Sequence, residues 1–264
     1  MASRNPVFNR SAAFSQRGGY ATFRDVPTPT PGSLEDMYRR PAASAVDMGR
    51  MTVDDAVMKT LISFVVLVGF AALGWFVPAL AFVGMIVGLV LGLVVSFKQS
   101  TNPALVLGYA AAEGLFVGGI SSVFQDRWPG IVSQAVIGTL VAFGAMLALY
   151  ATGVVKATPK FVKVVATAGL AYMGIALASL VGALFGVGGG WGFYGVSGLG
   201  LLLCAAGVAL AAAYLVLDFD FVEQGVRNGL PERYSWLAAF GLLATVVWLY
   251  VELLRLLAIL RGND

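Results

Sequence analysis

The 264-residue chain contains no histidine, a single cysteine and only 12% charged residues. The missing histidine removes the commonest metal ligand and the commonest general base, and with them the histidine-dependent serine and metal hydrolase schemes. The lone cysteine, Cys204 within an apolar run, excludes an internal disulfide framework and reads as a small core residue. A formal net charge of +3 is too small to point to nucleic acid. No glycine-rich phosphate loop with its lysine is found, and no apolar core follows the basic residues of Met1 to Arg10, so no cleavable signal peptide is expected.

What the chain has in excess is apolar sequence. Hydrophobic residues make up 59% of it, against about 45–50% in an ordinary globular protein, and the mean hydropathy is +0.85. This composition predicts an all-α, polytopic membrane protein. Residues 1–51 are rich in Arg, Ser, Pro and Gly, with Pro27, Pro29 and Pro31 in one short run, and read as a disordered cytoplasmic tail. Residues 52–264 read as the transmembrane domain, opened by a capping-box pattern at Thr52-Val-Asp-Asp55.

A spanning helix needs about 20 mostly apolar residues. Runs of that length fall near 56–77, 79–98, 103–124, 130–152, 160–186, 195–217 and 235–260. Seven spans in a compact bundle are therefore expected, with six or eight as alternatives because the first two are joined so tightly at Pro78. Basic residues in short loops favour an N-terminus on the cytoplasmic side: Arg50, Lys59, Lys98, Lys156, Lys160, Lys163, Arg227 and Arg233 then lie inside, and Arg127 outside. Trp75, Trp128 and Trp191 would share the outer interface. Arg255 and Arg261 fit this arrangement less well, since an odd number of spans places them outside. Glycines spaced by four, at Gly84, Gly88 and Gly92 and again at Gly114 and Gly118, mark faces on which helix backbones approach closely.

Four carboxylates break the apolar runs: Glu113, Asp218, Asp220 and Glu252. An ionisable group at bilayer depth costs roughly 2.5–3.5 kcal/mol even on the lenient insertion scale, so each is a candidate functional residue. Glu113 sits near the middle of the third span among small residues. It reads either as a carboxyl hydrogen-bonded to a neighbouring helix or as a proton- or cation-handling group. Asp218 and Asp220 close the sixth run and point about 200° apart on a helix, so one faces the core while the other meets water. Glu252 and Arg255, three apart, can form an intrahelical pair. Glu223 and Arg227, four apart, read as a solvated pair. An intramembrane aspartyl protease would need two of these carboxylates to converge from different helices, and no enzyme activity is expected.

The succession of Gly108-Tyr109 opening the third span, Tyr214-Leu-Val-Leu-Asp218-Phe-Asp-Phe-Val222 closing the sixth and Leu253-Leu-Arg255-Leu-Leu ending the seventh resembles the Bax inhibitor-1/YccA family, over roughly residues 56–260, with a tail like that of its bacterial branch. The resemblance implies a pH-sensitive calcium leak channel of the bacterial plasma membrane. In that family two aspartates, one ending the sixth helix and one in the seventh, share a proton, and a basic residue ending the second helix latches the pair. Asp218 falls on the first aspartate and Lys98 near the latch. The second aspartate falls on Thr245 when aligned through Leu253-Leu-Arg255, and on Glu252 when aligned through Leu249-Tyr250; the first alignment needs the smaller insertion. The resemblance thus implies Asp218 as sensor, Lys98 as latch, and Thr245 as a replaced second sensor or Glu252 as a displaced one; Glu113 and Asp220 join the candidate sensor and ion-path residues by their place in the apolar runs, and Arg255 is the charge partner of Glu252 by its spacing. Calcium would pass near Asp218 and Glu113 as a permeant ion, and no resident cofactor is expected. Two other functions stay open: a protein that binds and restrains a membrane-bound protease or another membrane partner, with the tail as its docking arm, since other bacterial members of the family are described as modulators of such a protease, and a proton-coupled transporter.

Overall fold

A computed structural model describes residues 48–190, 192–195 and 197–262. The expected disordered tail falls on residues 1–51, of which 1–47 lie outside the described residues. Seven α-helices follow one another: α1 Val53–Phe76, α2 Leu80–Lys98, α3 Pro103–Arg127, α4 Ile131–Ala151, α5 Pro159–Leu184, α6 Ser197–Arg227 and α7 Tyr234–Gly262. Short 3-10 turns at Val187–Gly190 and Gly192–Gly195 join α5 to α6. All seven helices are long and apolar enough to cross a bilayer, so this is a multi-pass membrane protein. Pro78 sits in a turn between α1 and α2, which makes them two separate spans.

Local chemistry sets the helix starts. The Thr52 hydroxyl accepts the Asp55 N–H at 3.1 Å, and the Asn102 side-chain Oδ1 accepts the Ala104 N–H at 2.9 Å with Pro103 at the first helical position. Thr158 caps α5 ahead of Pro159 in the same way. Thr52→Ala is expected to cost about 1 kcal/mol, read as a lowered thermal midpoint in detergent.

The glycine faces supply the closest packing. A Cβ at Gly74 would meet the Leu115 carbonyl, one at Gly114 the Leu67 carbonyl and one at Gly118 the Ala71 carbonyl, so α1 and α3 touch backbone to backbone. Gly84 does the same for α2 against Ala112 of α3. α7 is the most buried helix and packs against α1, α3, α4 and α6, while α2 leans on α3 and α5 on α6. α7 crosses the full depth: near its end the Arg261 guanidinium donates to the Pro129 carbonyl at 2.9 Å and to Gln134 at 2.9 Å, in and just after the α3–α4 turn. The basic end that fitted the loop-charge pattern poorly is thus held by neutral oxygens.

α6 corrects one sequence boundary. The sixth apolar run ends near 217, but α6 continues to Arg227, because Phe219, Val222 and Val226 carry its apolar face on into the core. The expected Glu223–Arg227 pair is replaced by a hydrogen bond from the Tyr150 hydroxyl of α4 to Glu223.

Candidate functional site

Asp218 lies nine residues before the end of α6, with its side chain turned toward α7. Its Oδ2 is buried without a hydrogen-bond partner among the described residues, and the Thr245 hydroxyl of α7 donates to its carboxylate. Gly241, one turn before Thr245, leaves the space: a Cβ there would come within 3.1 Å of Asp218 Oδ1. On its own helix Asp218 faces the Tyr214 phenol. Asp220 points away, as the 200° offset requires, and takes a hydrogen bond from the exposed Gln224 side chain.

Glu113 of α3 stands apart from Asp218. It accepts a hydrogen bond from the Tyr109 hydroxyl, one turn earlier, and faces Gly88 of α2, where a Cβ would lie 3.1 Å from Glu113 Oε1. One glycine of the α2 repeat therefore makes room for a carboxylate and not for a helix backbone, a role the spacing by itself does not reveal.

Glu252 and Arg255 form the expected intrahelical pair at 3.2 Å, with the carboxylate almost fully buried and the guanidinium a quarter exposed. Trp248 Nε1 donates to Glu252 at 3.3 Å, and Tyr172 of α5 adds a further hydrogen bond. The Arg255 guanidinium stacks 4.2 Å above the Tyr194 ring, whose hydroxyl donates to Tyr172 at 3.0 Å. Burial pushes the Tyr194 phenol above its ordinary range, so it stays a neutral donor. Gly207 of α6 is the gap into which this cluster fits, since a Cβ there would lie 2.8 Å from the Glu252 carboxyl carbon.

A cavity of about 770 Å³ connects Glu113 with the Glu252–Arg255 cluster, lined by Tyr109, Glu113, Thr245, Trp248, Glu252 and Arg255 among mostly apolar neighbours; Asp218 is not part of its lining. Its α7 wall runs from Phe240 to Arg255, about 22 Å at helical rise against a hydrocarbon core of about 30 Å. Thr245 belongs to that wall and to the surroundings of Asp218, so it is the link between the buried aspartate and the cavity.

A family model described as Bax inhibitor 1 like matches residues 5–262. The chain belongs to this family. No curated protein matches it. In this Bax inhibitor 1 like protein, the side chain presented to Asp218 from the seventh helix is the hydroxyl of Thr245, while Glu252 lies seven residues further along α7, engaged with Arg255. Neither Glu113 nor Glu252 meets Asp218 among the described residues. The latch contact expected of Lys98 is not formed: it ends α2 exposed, without an ion pair among the described residues. The reason is packing, because α2 lies on α3 while Asp218 faces α7.

Sequence reading overlooked Lys59, which is 8% exposed, bonded to Asp55 at 2.7 Å and to Glu232 at 3.0 Å, and placed 5.6 Å from the centre of the Trp236 ring. The Lys59–Asp55 spacing of four was a readable signal; the Glu232 contact, between residues far apart in the chain, was not. Tyr172 and Tyr194 were missed for the same reason.

Proposed function

We propose that this protein is a pH-sensitive cation leak of the bacterial plasma membrane, with calcium as the ion its oxygen groups suit best. The observation that carries the reading is the cavity along α7, which passes Glu113 near the middle of α3 and is lined by Thr245, the α7 partner of Asp218. Carboxylate and hydroxyl oxygens are the ligands hard cations prefer. Among the described residues no group of three acidic, histidine or cysteine side chains converges, and a site that must release its ion as readily as it takes it is better built from sparse ligands. Loop lysines and arginines gather at the end where α2, α4 and α6 finish, which makes that end cytoplasmic by the positive-inside rule and puts Asp218 near the cytoplasmic mouth.

The mechanism follows from the Asp218 surroundings. Ionised, Asp218 holds the Thr245 hydroxyl against α6. Protonated, it loses the charge that makes this bond strong, and the α6–α7 seam changes its grip on the cavity wall. Because Thr245 cannot ionise, one proton and not a shared one sets the response, so flux should vary with pH with the steepness of a single titration. In proteoliposomes loaded with a calcium dye, Asp218→Asn is expected to flatten the pH response and Glu113→Gln to lower flux. Unchanged flux in both variants, from acidic to mildly alkaline pH, would rule the reading out.

A further inference from the structure

The segment leading into α1 is tied to the turn between α6 and α7 by bonds from four residues. The Met51 N–H donates to the Leu230 carbonyl at 2.7 Å, and the Glu232 N–H donates to the Gly49 carbonyl at 2.8 Å, flanking a bridge between Arg50 and Pro231. Lys59 clasps Glu232 from one turn inside α1, through its carboxylate at 3.0 Å and its carbonyl at 3.4 Å. Gly49 and Gly229 take the left-handed conformation, with φ of +62° and +64°, that lets the two strands of this strap turn so sharply.

The strap delivers one side chain into the bundle. Met51 is 1% exposed and packs with Leu215, Phe219 and Val222 of α6 and with Ala238 of α7. Gly225 of α6 is the notch that receives it, since a Cβ there would lie 2.8 Å from the Met51 sulfur. Gly225 is seven residues after Asp218, two turns along the same face of α6 and about 10 Å away. On α7, Ala238 precedes Gly241, the residue beside Asp218 Oδ1, by one turn. Met51 therefore fills the α6–α7 seam on the α6 C-terminal side of Asp218, two turns along from a residue whose Oδ2 is buried without a hydrogen-bond partner among the described residues.

We infer that Met51 is a plug that closes the route from water to Asp218 at this end, held in its notch by the 49–51 strap and the Lys59–Glu232 clasp. A straight, unbranched thioether suits the role, because it fills an irregular gap and leaves it without breaking a polar contact. The inference rests on Asp218 being the functional acid of the proposed leak, but its test needs no ion flux. Asp218→Cys is placed in a Cys204→Ala background in proteoliposomes, and its labelling by a small cationic methanethiosulfonate added on the Met51 side is timed. Adding Met51→Ala should speed labelling about tenfold, as expected for opening a locally closed site, while Met51→Leu, which refills the notch, should stay near the parent rate. If the alanine protein does not fold, Met51→Val provides the same comparison. Equal labelling rates in a folded small-residue variant and its parent would overturn the plug, whatever the flux measurements show. No cation flux in the unsubstituted protein, with labelling still accelerated in the small-residue variant, would instead overturn the leak and leave the plug standing.

Discussion

Gly118→Ala is expected to cost about 3 kcal/mol or more, at or beyond the upper end of what overpacking usually costs. The added methyl has nowhere to go: its Cβ would fall on the Ala71 carbonyl oxygen, and the Ala71 carbonyl carbon is next nearest at 2.6 Å. A flexible side chain could yield, but backbone can yield only by moving α1 away from α3. That movement would also open the contacts at Gly74 and Gly114 along the same seam. In lipid the helices are held by such close packing and not by a hydrophobic drive, so little else compensates. Against a net stability of about 5–15 kcal/mol this is a large fraction. Thermal unfolding in detergent reads it, with Gly144→Ala as control, because nothing lies within 4 Å of a Cβ at Gly144 and alanine is the better helix former. A Gly118→Ala protein as stable as its parent would mean that the α1–α3 seam is looser than its geometry shows.

Arg255→Met should be comparably damaging, by about 3–5 kcal/mol, because removing one member of a buried ion pair leaves the other uncompensated. Glu252 would keep Trp248 and Tyr172 as donors but lose its cation. The Tyr194 ring would lose the guanidinium stacked on it, and with that the turn between α5 and α6 loses its anchor on α7. The double variant Glu252→Gln/Arg255→Met should recover most of the loss, since a neutral amide can still accept from Trp248 without a buried charge. Thermal midpoints of the two single variants and the double form a cycle that isolates the pair. If Arg255→Met alone matches the parent, the pair contributes nothing and the aromatic contacts hold the turn.

Much of this architecture is legible in the chain. The seven apolar runs predict the seven helices within a few residues at most ends, because a bilayer imposes one length and one composition on every span. Thr52 as cap, Asp218 and Asp220 on opposite faces of α6, and the Glu252–Arg255 pair follow equally from local geometry. Where α6 ends was not legible, because its apolar run stops at 217 and the acids beyond interrupt it, until Phe219 and Val222 are seen to pack against the core. Lys98 illustrates the reverse: motif position suggests a latch, while the packing of α2 on α3 leaves the side chain at the surface.

The sequence by itself determined the class of this protein, the place of its apolar runs and the acids within or ending them, since hydrophobic length and helical period act within single segments; the turn at Pro78 settled the count at seven. Only the tertiary structure decided what each acid meets: Thr245 for Asp218, Tyr109 and Gly88 for Glu113, Arg255 and Tyr172 for Glu252, and Lys59 for Glu232. Most of those partners come from other helices, and which helices become neighbours depends on where glycines let backbones touch, a property of pairs of helices that no single run contains.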